Sequence, residues 1–349
     1  MTSTLLERTP VPPTTARPVR DPWFDNAKMT LVTLVVVGHL WSLLPETVLS
    51  SWAYNFLYLW HVPAFVMVTG YLSRSFTYSR RNLSRLLTTV ALPYVVFEAL
   101  LAGFRAVVGG EHLGPLWVDP HWPMWYLSAL FLWRLATPVL RRVPHPLLLA
   151  ITVSLLAGLT TGDTLDVERT MGLLPFFVVG LHATPARLER LRQPSARRLA
   201  VAAFAAALAL AGLVEGTLGS EWLYWRSSYA ETSMPFLGGA LVRLGLVVVG
   251  LVLASSFLAL LPRRGGWYAR MGGASLVVYL FHGFVVKSVE YSSFPDWAGR
   301  HLAAALVLSA VGAAGLALLL ASPPVASRLT VLVDPVGTWR RRSAETPTG

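Results

Sequence analysis

The chain contains no cysteine, which excludes structural disulfides, thiolate nucleophiles and Cys-ligated zinc. Charge is scarce as well. Only 13% of the 349 residues are Asp, Glu, Lys or Arg, against about 25% in ordinary globular domains. A GxSxG nucleophile elbow, an HExxH zinc pair, a GxxxxGK[ST] phosphate loop and a GxGxxG turn are all missing, so the chemistries those motifs carry have no signature here. No internal repeat is evident, which counts against an inverted-repeat transporter.

What fills the chain is apolar sequence: 54% of residues are hydrophobic, in runs of membrane-spanning length. Ten segments read as apolar helices: 27–44, 52–72, 86–108, 124–140, 146–160, 170–184, 198–214, 235–261, 272–289 and 302–321. The fifth and sixth are short. The predicted fold is all-α, a polytopic membrane protein of about ten transmembrane helices. Residues 1–22 are polar and Pro-rich, lack the apolar core of a secretory signal, and are expected to be a disordered cytoplasmic arm. Residues 23–321 are then the transmembrane domain and 322–349 a short cytoplasmic tail.

A net charge of +11 raises the question of nucleic acid, but the basic residues sit in short loops between apolar segments, where they orient a membrane protein. Counted on alternate sides, 23 of the 29 Lys and Arg fall on one side and six on the other, while most acids go the opposite way. By the positive-inside rule both termini are cytoplasmic and the helix number is even. The expectation is a multi-pass plasma-membrane protein whose partner is the bilayer, with no nucleic-acid partner and no metal.

In a chain so poor in charge, intramembrane ionisable residues stand out. At about 1.5 Å per residue, His39, His61, Glu98 and His282 fall roughly 15–18 Å from the cytoplasmic face. Four polar side chains on four helices share one depth. A histidine there is expected to be neutral and able to accept a proton, with Glu98 or another histidine to orient it. A second constellation is YLSRSFTYSRRNLSRLL, residues 71–87. Its arginines orient the chain or bind anionic lipid, or they clamp a phosphate-rich ligand; Arg81 and Arg85, four apart, can share a helix face. Trp122, Trp125 and Tyr126, like Trp222, Tyr224 and Trp225, read as interfacial belt residues or as platforms for a sugar. Arg105, Arg243 and Lys287 either snorkel in the outer half of the membrane or line a pocket for a polar acceptor. His112, His121 and His301 read as solvated loop residues.

Six stretches resemble the acyltransferase-3 family of integral membrane acyltransferases, especially its branch related to fucose 4-O-acetylases. They are RDPWFDNAKMTLVTLVVVGHLW (20–41), FLYLWHVPAFVMVTGYLSRS (56–75), the arginine cluster before ALPY (91–94), MWYLSALFLWRL (124–135), LLPFFVVGLH (173–182) and ASLVVYLFH (274–282). Lys28 and His39 have the family's spacing of a basic residue, ten residues, then a histidine. The resemblance implies about ten helices, cytoplasmic acetyl-CoA or another acyl-CoA as donor, and a carbohydrate or glycolipid hydroxyl as acceptor. It carries the catalytic histidine onto His39 and donor binding onto Lys28, Arg81 and Arg85. Lys28 stands where arginine is commoner, and Arg81 and Arg85 match the family's arginine pair only loosely.

The reading is a membrane O-acyltransferase in which His39 is a general base or forms a transient acyl-histidine, with Glu98, His61 or His282 supporting it and Trp125, Tyr126, Arg105, Arg243 and Lys287 facing the acceptor. A transporter or flippase using the midplane residues as a proton relay is the competing reading. The motif order of the other large family of membrane acyltransferases is not seen.

Overall fold

The computed structural model describes residues 21–160, 162, 164–213 and 219–339. The arm up to residue 20, the end of the tail, and the acids Asp163 and Glu215 lie outside the described residues. Within them the chain is helical, with no strand: α1 Pro22–Trp41, α2 Val48–Tyr58, α3 His61–Ser73, α4 Arg80–Leu86, α5 Leu92–Gly109, α6 Trp125–Leu140, α7 Pro146–Leu156, α8 Val167–Gly172, α9 Leu174–Leu181, α10 Pro185–Leu191, α11 Pro194–Leu213, α12 Phe236–Leu260, α13 Trp267–Met271, α14 Ser275–Glu290, α15 Phe294–Arg300, α16 Leu302–Ala321 and α17 Pro323–Val333. Among the described residues, six stretches are both long and apolar enough to cross a membrane: Val48–Ser73, Arg80–Gly109, Pro194–Ala211, Phe236–Leu260, Trp267–Glu290 and Leu302–Ala321. The tail carries α17, whose Ala326 and Val333 are buried.

Local chemistry sets the breaks. Asp21 caps α1 through the Trp23 N–H, with Pro22 in the first turn, where a missing N–H costs nothing. The second apolar segment is two helices, because Trp60 leaves helical geometry (φ −136) just before a proline at 63 that cannot donate to the preceding turn. The third is a bent rod. Leu87–Ala91 forms a π turn between α4 and α5, which absorbs the hydrogen bond that Pro93 cannot make.

The centre of the bundle is α1, which packs against α2, α3, α13, α14 and α16 and buries Trp23, Met29, Leu31, Val32 and Val36 almost completely. The most extensive pairing is α3 with α9. Two glycines allow it: a Cβ on Gly70 would lie 2.1 Å from the Phe177 carbonyl oxygen, and one on Gly180 would lie 1.9 Å from that of Met67. Such backbone contact suits helices that associate without a hydrophobic driving force. On the periphery α11, α12 and α16 expose Leu199, Val201, Leu210, Leu241, Val248, Val307, Val311 and Leu319, an apolar surface of the kind a bilayer covers. This is a multi-pass membrane protein.

The arginine-rich loops gather at one end. Arg192 reaches Asp21 at 3.0 Å and Glu189 at 2.8 Å, Arg263 donates to the Arg192 carbonyl, and Asn26 donates to the carbonyls of Pro262 and Arg264. At the other end Glu111 holds Lys287 at 2.9 Å and Arg105 at 2.6 Å.

Candidate active site

Lys28 and His39 are eleven residues apart on an unbroken helix, hence three turns, so they share one face about 16 Å apart along the axis. Each opens onto its own cavity. His39 lines a cavity of about 430 Å³ toward the C-terminal end of α1. His61, Tyr54, Tyr58, Trp122, Trp125, Arg169 and Tyr224 are among its walls. Lys28 lines a smaller one of about 250 Å³ at the arginine-rich end, with Thr69, Thr89, Val90 and Arg134. Phe65, Tyr126 and Tyr279 line both, so three aromatic side chains form the partition between them.

The hydrogen bonds around His39 assign its tautomer. His282 Nδ1 lies 2.5 Å from the Tyr279 carbonyl oxygen, which can only accept, so that nitrogen carries a proton. A neutral His282 then has a lone pair on Nε2. His39 Nδ1 sits 2.8 Å from it and must be the donor, which leaves His39 Nε2 as the basic nitrogen. Trp122 packs against the His39 ring at 64° with centroids 4.4 Å apart. His61 stands at the break between α2 and α3 and donates from Nδ1 to the Leu57 carbonyl at 2.8 Å, so its Nε2 is likewise an acceptor.

A family model described as an acyltransferase domain, that of the acyltransferase-3 family, matches residues 21–322. The chain belongs to the acyltransferase-3 family. Comparison with curated proteins and with solved structures found no match. As a member, the protein is a membrane acyltransferase, which decides for acyl transfer over transport. Among the described residues no group of His, Asp and Glu is placed to hold a metal ion.

The acyltransferase gathers some predicted site residues and disperses others. His39, His61, Trp125 and Tyr126 meet on one cavity, with His282 bonded to His39 from behind. Glu98 does not join them. Its Oε1 accepts the His121 backbone N–H at 3.0 Å while Oε2 is buried without a partner, so it braces the loop that carries Trp122. His121 is packed rather than solvated, its ring 5.8 Å from that of Trp122.

Arg105 and Lys287 are bound to Glu111, and Lys287 also to Glu290; neither lines the cavity. Arg243 is buried and donates to the carbonyls of Ser154 at 3.0 Å and Ser227 at 2.9 Å, so it supports the loop over the cavity rather than lining it. Arg85 lines a shallow cleft with Asn82, Ser73 and Arg134, whereas Arg81 is exposed on α4 and outside these cavities. The tryptophan groups are not a belt: Trp222 and Trp225 are buried, and Trp122, Trp125, Tyr224 and Trp225 line the His39 cavity.

Two cations escaped notice in the sequence. Arg134, inside the apolar segment 124–140, lines both the Lys28 cavity and the Arg85 cleft. Its place inside an apolar run was the available signal, since intramembrane ionisable groups are rare and functional. Arg169 faces the His39 cavity, its guanidinium 4.6 Å from the Trp125 ring centroid. It lies in α8, just outside the apolar segment 170–184, where the sequence gives no such hint.

Proposed function

We propose that this acyltransferase moves an acyl group from acyl-CoA, most simply acetyl-CoA, to a hydroxyl of a carbohydrate or lipid-linked glycan, as in the branch related to fucose 4-O-acetylases. The donor's phosphates bind Lys28, Arg134 and Arg85 at the cytoplasmic end, and the acceptor enters the His39 cavity from the other. The observation that carries this reading is the pair of cavities sharing Phe65, Tyr126 and Tyr279, with a basic imidazole nitrogen in one and cations in the other. The thioester crosses that aromatic partition to reach the acceptor.

His39 Nε2 takes the proton of the acceptor hydroxyl as its oxygen attacks the thioester carbonyl carbon. The carbon–sulfur bond then breaks, and the CoA thiolate leaves with the proton from the imidazolium. His282 Nε2, still accepting from His39 Nδ1, holds the ring through both steps. Arg81 acts at the cytoplasmic surface on the donor's outer phosphates. The same reading takes all ten apolar segments as spans in the plasma membrane with both termini cytoplasmic, supported by the 23-to-6 division of basic residues. The test is incubation of the purified protein with labelled acetyl-CoA and candidate glycan acceptors. His39-dependent label in the acceptor is the expected result; full transfer by a folded His39→Ala variant overturns the mechanism.

A further inference from the structure

The His39 cavity is lined by two arginines, Arg169 and Arg226, and among the described residues by no carboxylate. The nearest acidic lining belongs to an adjoining cleft, where Glu46 and Glu221 stand beyond the shared residues Ser42, Tyr54 and Tyr224. Arg169 is the unusual member. Its side chain is only 12% exposed, and among the described residues its one ion pair, from Nε to Asp166, is long at 3.8 Å. That Nε is buried without a hydrogen-bond partner, while the guanidinium lies over the Trp125 ring. A guanidinium taken out of water and left with so few hydrogen bonds is costly unless something completes its set. The cation–π contact with Trp125 offsets part of that cost but supplies none of the missing hydrogen bonds.

Resting on the acyl-transfer reading, we infer that the acceptor is anionic: it carries an oxyanion, a carboxylate or a phosphate, held by Arg169 with Arg226 at the cavity mouth, while its hydroxyl is presented to His39. The planar fork of Arg169 suits either group. Tyr54, Tyr58 and Tyr224, with the indoles of Trp122 and Trp125, supply the hydroxyl and ring contacts of a sugar. The arrangement selects an acidic sugar or a sugar phosphate over a neutral glycoside.

Binding to the full-length purified protein tests this without turnover. Isothermal titrations with glucuronate, glucose 6-phosphate and glucose, at matched ionic strength, are expected to show the two anions binding about tenfold or more tighter than glucose. The two anionic arms separate a carboxylate from a phosphate as the preferred group. Arg169→Gln removes the preference, and Arg169→Lys, which keeps charge but loses the fork, retains part of it; unliganded melting shows that each variant is folded. The cytoplasmic arginines are the rival site, so Arg85→Gln is measured alongside. Equal binding of anions and glucose, no binding at all, or a preference that survives Arg169→Gln and falls in Arg85→Gln overturns the inference. The acyl-transfer reading fails separately, by absence of His39-dependent label transfer from acetyl-CoA.

Discussion

His282 determines which nitrogen of His39 is basic, because the Tyr279 carbonyl fixes the proton on one side of its ring and His39 fills the other. In the proposed mechanism it is a positioning residue. Replacing it by Ala is expected to lower kcat by up to roughly 10⁴, the loss when a catalytic histidine's partner no longer sets its tautomer, with the KM for acetyl-CoA little changed. His282→Gln, which keeps an acceptor for His39 Nδ1, should recover part of the loss; equal damage by both would argue for a packing role only. Arg134→Gln should do the opposite, raising KM for acetyl-CoA about tenfold or more through loss of a charged phosphate contact while kcat holds. A change confined to kcat would remove Arg134 from donor binding. Depth along a helix was legible in the sequence, and so His39, His61 and His282 were. Direction around the helix was not: successive residues turn about 100°, so Glu98 at the same depth points to the His121 loop instead.

Among the elements, the α3–α9 contact sets where His61 stands, since the two helices touch through Gly70 and Gly180. Gly180→Ala would set a methyl 1.9 Å from the Met67 carbonyl oxygen, backbone that cannot yield without moving the helix. Overpacking of this kind costs about 1–3 kcal/mol, so the melting temperature and activity should both drop. Gly245→Ala, with nothing within 4 Å of its Cβ position, should leave both intact or stabilise slightly. The loop between α5 and α6 makes a pH prediction. Burial, then the charges of Arg105 and Lys287, push His121 from 6.5 down to about 3. The unfolded chain therefore takes up a proton that the folded one refuses, and stability falls as pH drops from about 6.5 toward 3. For Glu111, burial raises the pKa, but the Tyr291 hydroxyl, Arg105 and Lys287 outweigh it and hold the group at about 2 instead of 4.5. Its stabilisation is present above about 4.5 and is lost as pH falls toward 2. Melting curves from pH 7.5 to 3.5 should flatten from about pH 6.5 downward in His121→Gln and only below about pH 4.5 in Glu111→Gln; unchanged slopes would remove these groups as the cause. Apolar segments located the helices, but the sequence hid the break at Trp60 and the π turn before Pro93. Both depend on how the backbone finds substitute hydrogen bonds, which hydropathy does not register.

At the scale of the whole molecule, charge and topology make one argument. The arginine-rich loops gather at the N-terminal end of α1, so the uneven charge read along the sequence becomes a polarity of the folded bundle. Whether that polarity follows the membrane depends on parity, and parity depends on the short helices between residues 146 and 181. If α7 and the α8–α9 pair each return the chain across the bilayer, Ser75 and Ser195 share a side and Ser293 lies on the other. If together they make only one crossing, Ser195 changes sides relative to Ser75. The absence of cysteine makes this directly measurable, because a single introduced thiol is the only target for a maleimide. Ser75, Ser195 and Ser293 are all exposed, so Ser75→Cys, Ser195→Cys and Ser293→Cys should each label without disturbing the core. In intact cells a membrane-impermeant maleimide should label only the cysteine at 293, and permeabilisation should add those at 75 and 195. Labelling at 195 before permeabilisation, with 75 still protected, would break the even count of spans and separate the basic clusters onto two faces.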